Sequence, residues 1–178
     1  TALAADRGAD IVRVHDVDGN VAAVDVVEAT RDDAELLAEY WFQLASEMEP
    51  YSELNELAHD DPEDVVEGIA RHHIDGDDTT AFLLEVDGRT VGSVLVREGE
   101  HPSRALDRYL QIVHLFVERG HRSLGHGTAA IECVERLARE RGIDYLKVSC
   151  EWANEGARSF YEDSGFTEKQ VTYTQRVE

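Results

Sequence analysis

The order of predicted strands and helices indicates an α/β protein, a sandwich of helices around one mixed sheet. Short runs of apolar, β-branched residues alternate with segments whose apolar residues recur at helical spacing. An Asp87-Gly88 pair joins two of the apolar runs, and a glycine-containing loop leads from a third run into a helix. These observations give the order β-α-α-β-β-β-α-β-α-β.

The first half of the chain supplies one strand and two helices. VDVVEA, from Val24, predicts a short strand, and Thr30-Arg-Asp-Asp33 has the form of an N-cap followed by acidic residues. An amphipathic helix is expected from there to about Ser46. Because proline suits the first helical turn, Asp61-Pro62 predicts a second helix, which ends near His73.

The second half begins with a hairpin. Asp87-Gly88 between TAFLLEV and RTVGSVLVRE predicts a two-residue turn, and the continuous apolar run YLQIVHLFV predicts a strand covered on both faces. A helix is expected from about Gly125 to Arg141, followed by the buried strand DYLKVSCEW and a short helix that ends at Gly165. FTEKQVTYTQRV predicts a last strand, or two strands with a break.

The charge balance excludes several function classes. Seventeen Lys and Arg against 38 Asp and Glu give a net charge of −21, which repels nucleic acid phosphates. No apolar run of about 18 residues predicts a membrane span. The absence of a basic start followed by an apolar run predicts no signal peptide and a cytoplasmic location. The dispersed acids resemble those of cytoplasmic proteins from salt-loving archaea; an ordinary acidic protein is the alternative.

Cysteine and histidine positions predict neither disulfides nor a metal site. Cys133 and Cys150 lie in apolar segments without a C-x-x-C spacing, so both are expected to be reduced and buried. His72 and His73 are adjacent on a predicted helix and therefore do not share a face.

The segment VERGHRSLGHGTAAIE is the strongest candidate binding site. Glycines 125 and 127 let the backbone approach a ligand, and the first turn of the following helix offers free N–H groups and a partial positive charge. Such a loop binds a pyrophosphate, and Arg119 adds further positive charge; a tight turn without a ligand is the alternative. The predicted binding residues are Arg122, Ser123, Leu124, Gly125, His126, Gly127 and Thr128.

The R-x-x-G-x-G spacing from Arg122 to Gly127 resembles the coenzyme A loop of the GNAT superfamily, with Ser123 where members commonly have glycine. NEGARSFYEDSGF, from Asn154, is similar to the N-x-x-A-x-x-[FL]-Y-x-x-x-G-F block of the same superfamily. The resemblance covers about residues 24–178. It implies a GNAT-like three-layer α/β/α sandwich whose mixed, largely antiparallel sheet is splayed at the cofactor site.

The resemblance also implies an acetyl-CoA-dependent N-acetyltransferase, in which an amine attacks the thioester directly. Backbone groups of Leu115, Phe116 and Val117 would bind the pantetheine arm and polarise the carbonyl. Tyr161 would bind the cofactor beside its thioester sulfur and protonate the departing thiolate, although an aromatic anchor for the helix is the alternative. Asn154 would contact the cofactor, and it is also a favoured N-cap residue.

The general base is left open by the sequence. Val113 stands where several relatives have a glutamate, so His114 and Glu151 are the candidates. Strand alternation is expected to point His114 away from the face of Val113, and a structural histidine is the alternative. The acidic loop 47–51 lies where relatives build the acceptor pocket. The missing glutamate also leaves a second function open, a non-catalytic acyl-CoA-binding or regulatory module.

The expected acceptor is a small-molecule amine, a protein N-terminus or a side-chain amine. Family members are often dimers, so a homodimer is a further expectation. No nucleic acid or membrane partner is expected.

Residues 1–23 are unlike the start of a GNAT domain. RGADIVRVHDVDGNVAAV resembles the last strand and turn of dihydropteroate synthase, in which the positions of Arg13 and His15 bind a phosphate-type anion. Twenty-three residues cannot supply an eight-stranded barrel, which excludes that activity. The predicted division is an extension over 1–23, either an edge strand through IVRV or a loosely attached remnant, and an acetyltransferase domain over 24–178.

Overall fold

The computed structural model describes residues 11–14, by their backbone, and residues 24–177. In this part of the chain six strands form one sheet in sequence order. The first five strands pair antiparallel, and the sixth pairs parallel with the fifth, so the sheet is mixed and largely antiparallel as predicted. The strands are β1 (Ile11–Val14), β2 (Val24–Glu28), β3 (Thr79–Val86), β4 (Arg89–Glu100), β5 (Arg108–Val117) and β6 (Tyr145–Val148).

Helices cover both faces of the sheet. On one face, Leu37 and Ile69 of the first two helices pack on Leu83 and Leu95 of the sheet. On the other face, residues of the last two helices pack on β2 to β6 around Val134. The predicted three-layer α/β/α sandwich is therefore confirmed. The helices are α1 (Ala34–Met48), α2 (Val66–Ile69, continued by the π-helical turn Ala70–Ile74), α3 (His126–Glu140) and α4 (Glu155–Asp163).

Strong local signals gave the correct elements. The carboxylate of Asp33 accepts a hydrogen bond of 2.8 Å from the backbone N–H of Thr30, which fixes the chain before α1. Asp87 and Gly88 have φ angles of 51° and 79°, as a two-residue hairpin turn between β3 and β4 requires.

Three predictions for the last third of the chain are wrong. β6 ends at Val148, so Glu151 follows the strand instead of ending it, and residues 166–177 form no regular strand. Cys150 is exposed because it too lies beyond β6, whereas Cys133 is buried as predicted. Burial raises the pKa of the Cys133 thiol to about 11.

A β-bulge in β5 corrects the expected direction of His114. Leu95 pairs with His114 and Val96 with Ile112, so Val113 is an extra residue on β5. Because the bulge interrupts strand alternation, Val113 and His114 both face the α1–α2 layer. Val113 packs on the apolar cluster beneath these helices, and the His114 ring lies 5.3 Å from that of His73.

The first segment contributes a strand at the edge of the sheet, since residues 11–14 pair antiparallel with β2 as β1. The side chain of Arg13 and all of His15 lie outside the described residues. Within the described residues, no helix is long and apolar enough to cross a membrane. Nor do three or more His, Cys, Asp or Glu side chains of this part of the chain come together as metal ligands.

Candidate active site

The sheet opens between β5 and β6, next to the bulge. The parallel pairing runs from Tyr109 with Tyr145 to Ile112 with Val148, whereas β4 pairs with β5 as far as Val117. Among the described residues, no strand pairs with 113–117 on the β6 side. Leu115, Phe116 and Val117 therefore lie along an open edge, where the backbone groups that point away from β4 can bind a ligand.

The loop after β5 presents a row of backbone donors. Ser123 and Gly125 have φ angles of 61° and 83°, and these two left-handed residues turn the chain into α3. Within the described part of the chain, the N–H groups from Ser123 to Thr128 have no hydrogen-bond acceptor. Free N–H groups and the partial positive charge of a 15-residue helix are a suitable site for an anion.

The left-handed conformation at Ser123 explains why this position suits glycine, since a side chain there is strained. Gly127 has a packing role as well. A Cβ atom at this position would lie 3.2 Å from the ring of Phe160, so α4 packs closely on the first turn of α3. Leu124, by contrast, is half exposed.

His126 contributes its backbone to this loop, while its side chain is buried with only 3% exposed. Burial, followed by the neighbouring His121 imidazole, lowers the pKa of His126. Its Nδ1 atom has no hydrogen-bond partner among the described residues.

Both loop arginines are held by an acidic residue from α1. Arg119 Nε donates to Glu47 Oε1 at 2.9 Å, and the Nη2 atom of Arg122 donates to Oε1 and Oε2 at 3.0 and 2.9 Å. Arg122 Nε also donates to the carbonyl oxygen of Val117 at 2.8 Å, which ties the arginine to the end of β5. The sequence placed Glu47 in a possible acceptor loop, and nothing in its local spacing predicts this contact.

Tyr161 lies on α4 in the apolar cluster beneath α3 and α4. Its ring contacts Phe160 and Phe166 edge-on at 5.2 and 5.6 Å, which fixes the direction of the phenol. Burial, with a smaller contribution from Cys150, raises the pKa of Tyr161 to about 12. The phenol therefore keeps its proton at neutral pH, as a general acid must.

Glu151 is joined to the segment that connects α1 and α2. Asn55 Nδ2 donates at 3.0 Å both to Glu151 Oε1 and to the carbonyl oxygen of Met48. One amide nitrogen thus connects the end of α1 to the segment after β6. Asn55 was missed by the sequence reasoning because its partner is 96 positions away.

His114 is a much weaker base than a histidine side chain in water. Burial, followed by the nearby His73, lowers the pKa of His114 to about 3. A group with this pKa holds a proton taken from an ammonium ion poorly, because each pKa unit between the two groups costs about 1.4 kcal/mol.

Asn154 is the N-cap of α4. Its Oδ1 atom accepts a hydrogen bond of 3.0 Å from the N–H of Ala157. The side-chain amide makes no hydrogen bond to another described residue through its nitrogen, and this nitrogen is free to act as a donor.

The chain belongs to the acetyltransferase (GNAT) family, whose family model matches residues 36–166. Membership confirms the family that the two motifs predict. Among curated relatives, the probable N-acetyltransferase camello of Xenopus tropicalis is 29% identical over 136 residues. The match covers 76% of this chain and 58% of that protein.

Solved structures share the fold. The ribosomal-protein-alanine N-acetyltransferase of Brucella melitensis superposes with a TM-score of 0.67 at 24% identity, over 86% of this chain and 99% of that one. AAC(6')-Iy, in complex with the bisubstrate analog CoA-S-monomethyl-acetylneamine, gives a TM-score of 0.66 at 17% identity, over 86% and 99% of the two chains.

A short stretch has a different relative. Thirty-five residues are 77% identical to the probable bifunctional folylpolyglutamate synthase/dihydropteroate synthase of Halobacterium salinarum. The match covers 20% of this chain and 4% of that protein. The resemblance to dihydropteroate synthase that the sequence predicts is therefore confirmed, and it is limited to this short segment.

Proposed function

We propose that the protein is an N-acetyltransferase that transfers an acetyl group from acetyl-CoA to an amine by direct attack on the thioester. The observation that carries this proposal is the open edge of β5, which continues into six backbone N–H groups without an acceptor among the described residues. An extended arm that ends in phosphates fits an open strand edge followed by an anion loop.

The loop would hold the pyrophosphate through the backbone of residues 123–128, and Leu115 to Val117 would hold the pantetheine arm. When bound, acetyl-CoA supplies an activated acyl group. A backbone N–H of the open edge would stabilise the oxyanion that forms at the carbonyl. The side-chain nitrogen of Asn154 would donate a further hydrogen bond to the cofactor.

Two side chains from the segment that follows β6 would move protons. Glu151 would take a proton from the attacking amine, directly or through water, and Tyr161 would give a proton to the departing thiolate. The low pKa of His114 favours Glu151 over it as the base. His114 would instead be a neutral residue in the packing beneath α2.

A non-catalytic acyl-CoA-binding module is the second candidate, because Val113 replaces the glutamate of several relatives. The family and the similarity to N-acetyltransferases favour catalysis.

We also propose a cytoplasmic protein that works in concentrated salt. The net charge of −21 and the short match to a Halobacterium protein support this setting. Residues 1–23 would form an extension to a domain over 24–178. The acceptor would be a small amine or an amine of a protein, and the protein would be a homodimer.

Two measurements test the proposal. Calorimetric titration of acetyl-CoA in concentrated potassium chloride is expected to give saturable binding. Release of free thiol is then followed with a panel of polyamines, amino sugars and peptides. Amine-dependent release supports the transferase. Binding without release from any amine supports the module, and absence of binding by a folded protein contradicts both.

A further inference from the structure

Glu47 faces the loop that would hold the cofactor phosphates. It lies on the last turn of α1, and its side chain is only 21% exposed, whereas those of Arg119 and Arg122 are 80% and 40% exposed. Both arginines contact this one carboxylate. The carboxylate therefore carries the negative charge nearest to the two cations of the loop.

The donors of Arg122 are largely occupied in this arrangement. Nε binds the Val117 carbonyl, Nη2 binds both oxygens of Glu47, and the guanidinium carbon lies 5.7 Å from the centre of the Phe116 ring. Among the described residues, Nη1 is the one donor nitrogen of Arg122 without a partner, so a phosphate must compete with Glu47 for the rest of the guanidinium.

Glu118, the acidic residue next to Arg119 in the loop, contacts other side chains. Glu118 Oε2 lies 2.9 Å from Arg89 Nη2, and Tyr40 Oη donates to Glu118 Oε1 at 3.1 Å. Neither contact involves Arg119 or Arg122. Glu47 is thus the carboxylate that partly neutralises these two arginines.

We propose that Glu47 is an affinity-determining residue, a counter-charge that competes with the phosphates of the cofactor for Arg119 and Arg122. This inference rests on the proposed function. Because the arginines are 80% and 40% exposed, water screens their pairing with Glu47, and a multiply charged phosphate group can displace the carboxylate. Glu47 keeps the loop arginines partly neutral until the cofactor binds, and it returns to them when the product leaves.

The test is calorimetric titration of acetyl-CoA into wild type, Glu47→Gln and Glu39→Gln in about 0.1 M potassium chloride, where charges are weakly screened, after each protein is shown to be folded there. The last variant is the matched control, because Glu39 is exposed on the same helix and loses the same charge away from the arginines. We expect the Kd of Glu47→Gln to fall about three- to tenfold, as removal of one charge a few ångströms from a polyanion allows. The Kd of Glu39→Gln should stay within about twofold of wild type.

Salt and a second variant sharpen the result. The gain in affinity of Glu47→Gln for acetyl-CoA should shrink in concentrated potassium chloride, because the Debye length falls from about 10 Å at 0.1 M to about 3 Å at 1 M. Glu47→Ala, checked by its melting temperature, replaces Glu47→Gln if the latter is unfolded. The gain should also disappear when Arg119 and Arg122 are both replaced by Gln.

An unchanged or higher Kd in the Glu47 variants overturns the inference, and a higher Kd assigns Glu47 to positioning the arginines instead. Wild type that binds acetyl-CoA while Glu47→Gln gains nothing leaves the proposed function intact. A folded wild type that does not bind overturns both proposals.

Discussion

The two ends of the open edge of β5 are built differently. At the proposed phosphate end, one contiguous stretch from Ser123 to Thr128 offers backbone N–H groups. At the proposed acceptor end, Asn55, Glu151 and Tyr161 come from three separate segments and would act through side chains. A backbone site tolerates most substitutions except where a left-handed turn is needed, whereas a side-chain site can be removed one group at a time.

The largest expected effect lies at the phosphate end. Gly125→Glu places a side chain at φ 83°, where a Cβ atom costs about 1–2 kcal/mol, and adds a negative charge beside the phosphates. We expect the Kd for acetyl-CoA to rise at least about 100-fold by calorimetry. The melting temperature should fall by only about 2–8 °C, as this strain implies, so the variant stays folded. Gly120→Ala is the control, because a Cβ atom there meets nothing within 4 Å. Equal binding by Gly125→Glu would mean that the loop is only a turn.

The next effect is at the acceptor end. Tyr161→Phe removes the phenolic proton but keeps the ring contacts, so kcat should fall about 10- to 100-fold. This loss is at or below the lower end of the range of rate reductions that follow the removal of a general acid. The Kd for acetyl-CoA should not change. Because the pKa of Tyr161 is raised to about 12, loss of its proton should not limit kcat below about pH 11. Tyr109→Phe, which changes a tyrosine at the other end of β5, should retain wild-type kcat. A kcat of wild-type size in Tyr161→Phe would leave Tyr161 as an aromatic anchor.

A smaller loss is expected for the hydrogen bond between Asn55 and Glu151. Glu151→Gln should lower kcat/KM about tenfold and Asn55→Ala about threefold, since a general base contributes more than the amide that orients it. In the double variant the Asn55 effect should vanish, because it acts through Glu151. Glu56→Gln, at an exposed position in the same connecting segment, is the control. Additive losses in the double variant would show that the two residues act independently.

The smallest effect on catalysis is expected for His114→Phe, whose kcat should stay within about threefold of wild type. The main effect of this substitution is expected on the stability of the fold at acid pH. The pKa values of His114 and His73 are lowered to about 3 and 4 in the folded state, so the unfolded chain binds more protons below about pH 6.5. Stability is therefore fully present above this pH and falls as the pH drops towards these values.

Each buried imidazole contributes up to about 1.4 kcal/mol per pH unit to this loss. Between pH 6 and 4, the free energy of unfolding of His114→Phe should decline less steeply than that of wild type, as measured by urea denaturation. His59→Gln, at an exposed imidazole, serves as the control. Equal slopes would contradict a neutral, buried His114, and a large loss of kcat would return it to the candidate bases.

How much of the structure the sequence could predict depended on how far apart the interacting residues lie along the chain. Gly125, Gly127 and the helix that follows are one contiguous signal, so the loop that turns the chain into α3 was predicted with its boundaries. The hairpin at Asp87-Gly88 and the N-cap at Asn154 are equally local. The end of β6 and the missing last strand were mispredicted, because strand pairing depends on neighbours elsewhere in the chain.

By itself, the sequence determined the family, through its resemblance to two motifs, and the layers of the sandwich and the turn into α3, which follow from periodicity, turn residues and glycine positions. Only the tertiary structure decided the bulge that turns His114 towards His73, the bond from Asn55 to Glu151 and the pairing of Glu47 with both loop arginines. The physical reason is that these contacts join residues far apart in the chain, and their geometry exists only once the helices have packed on the sheet.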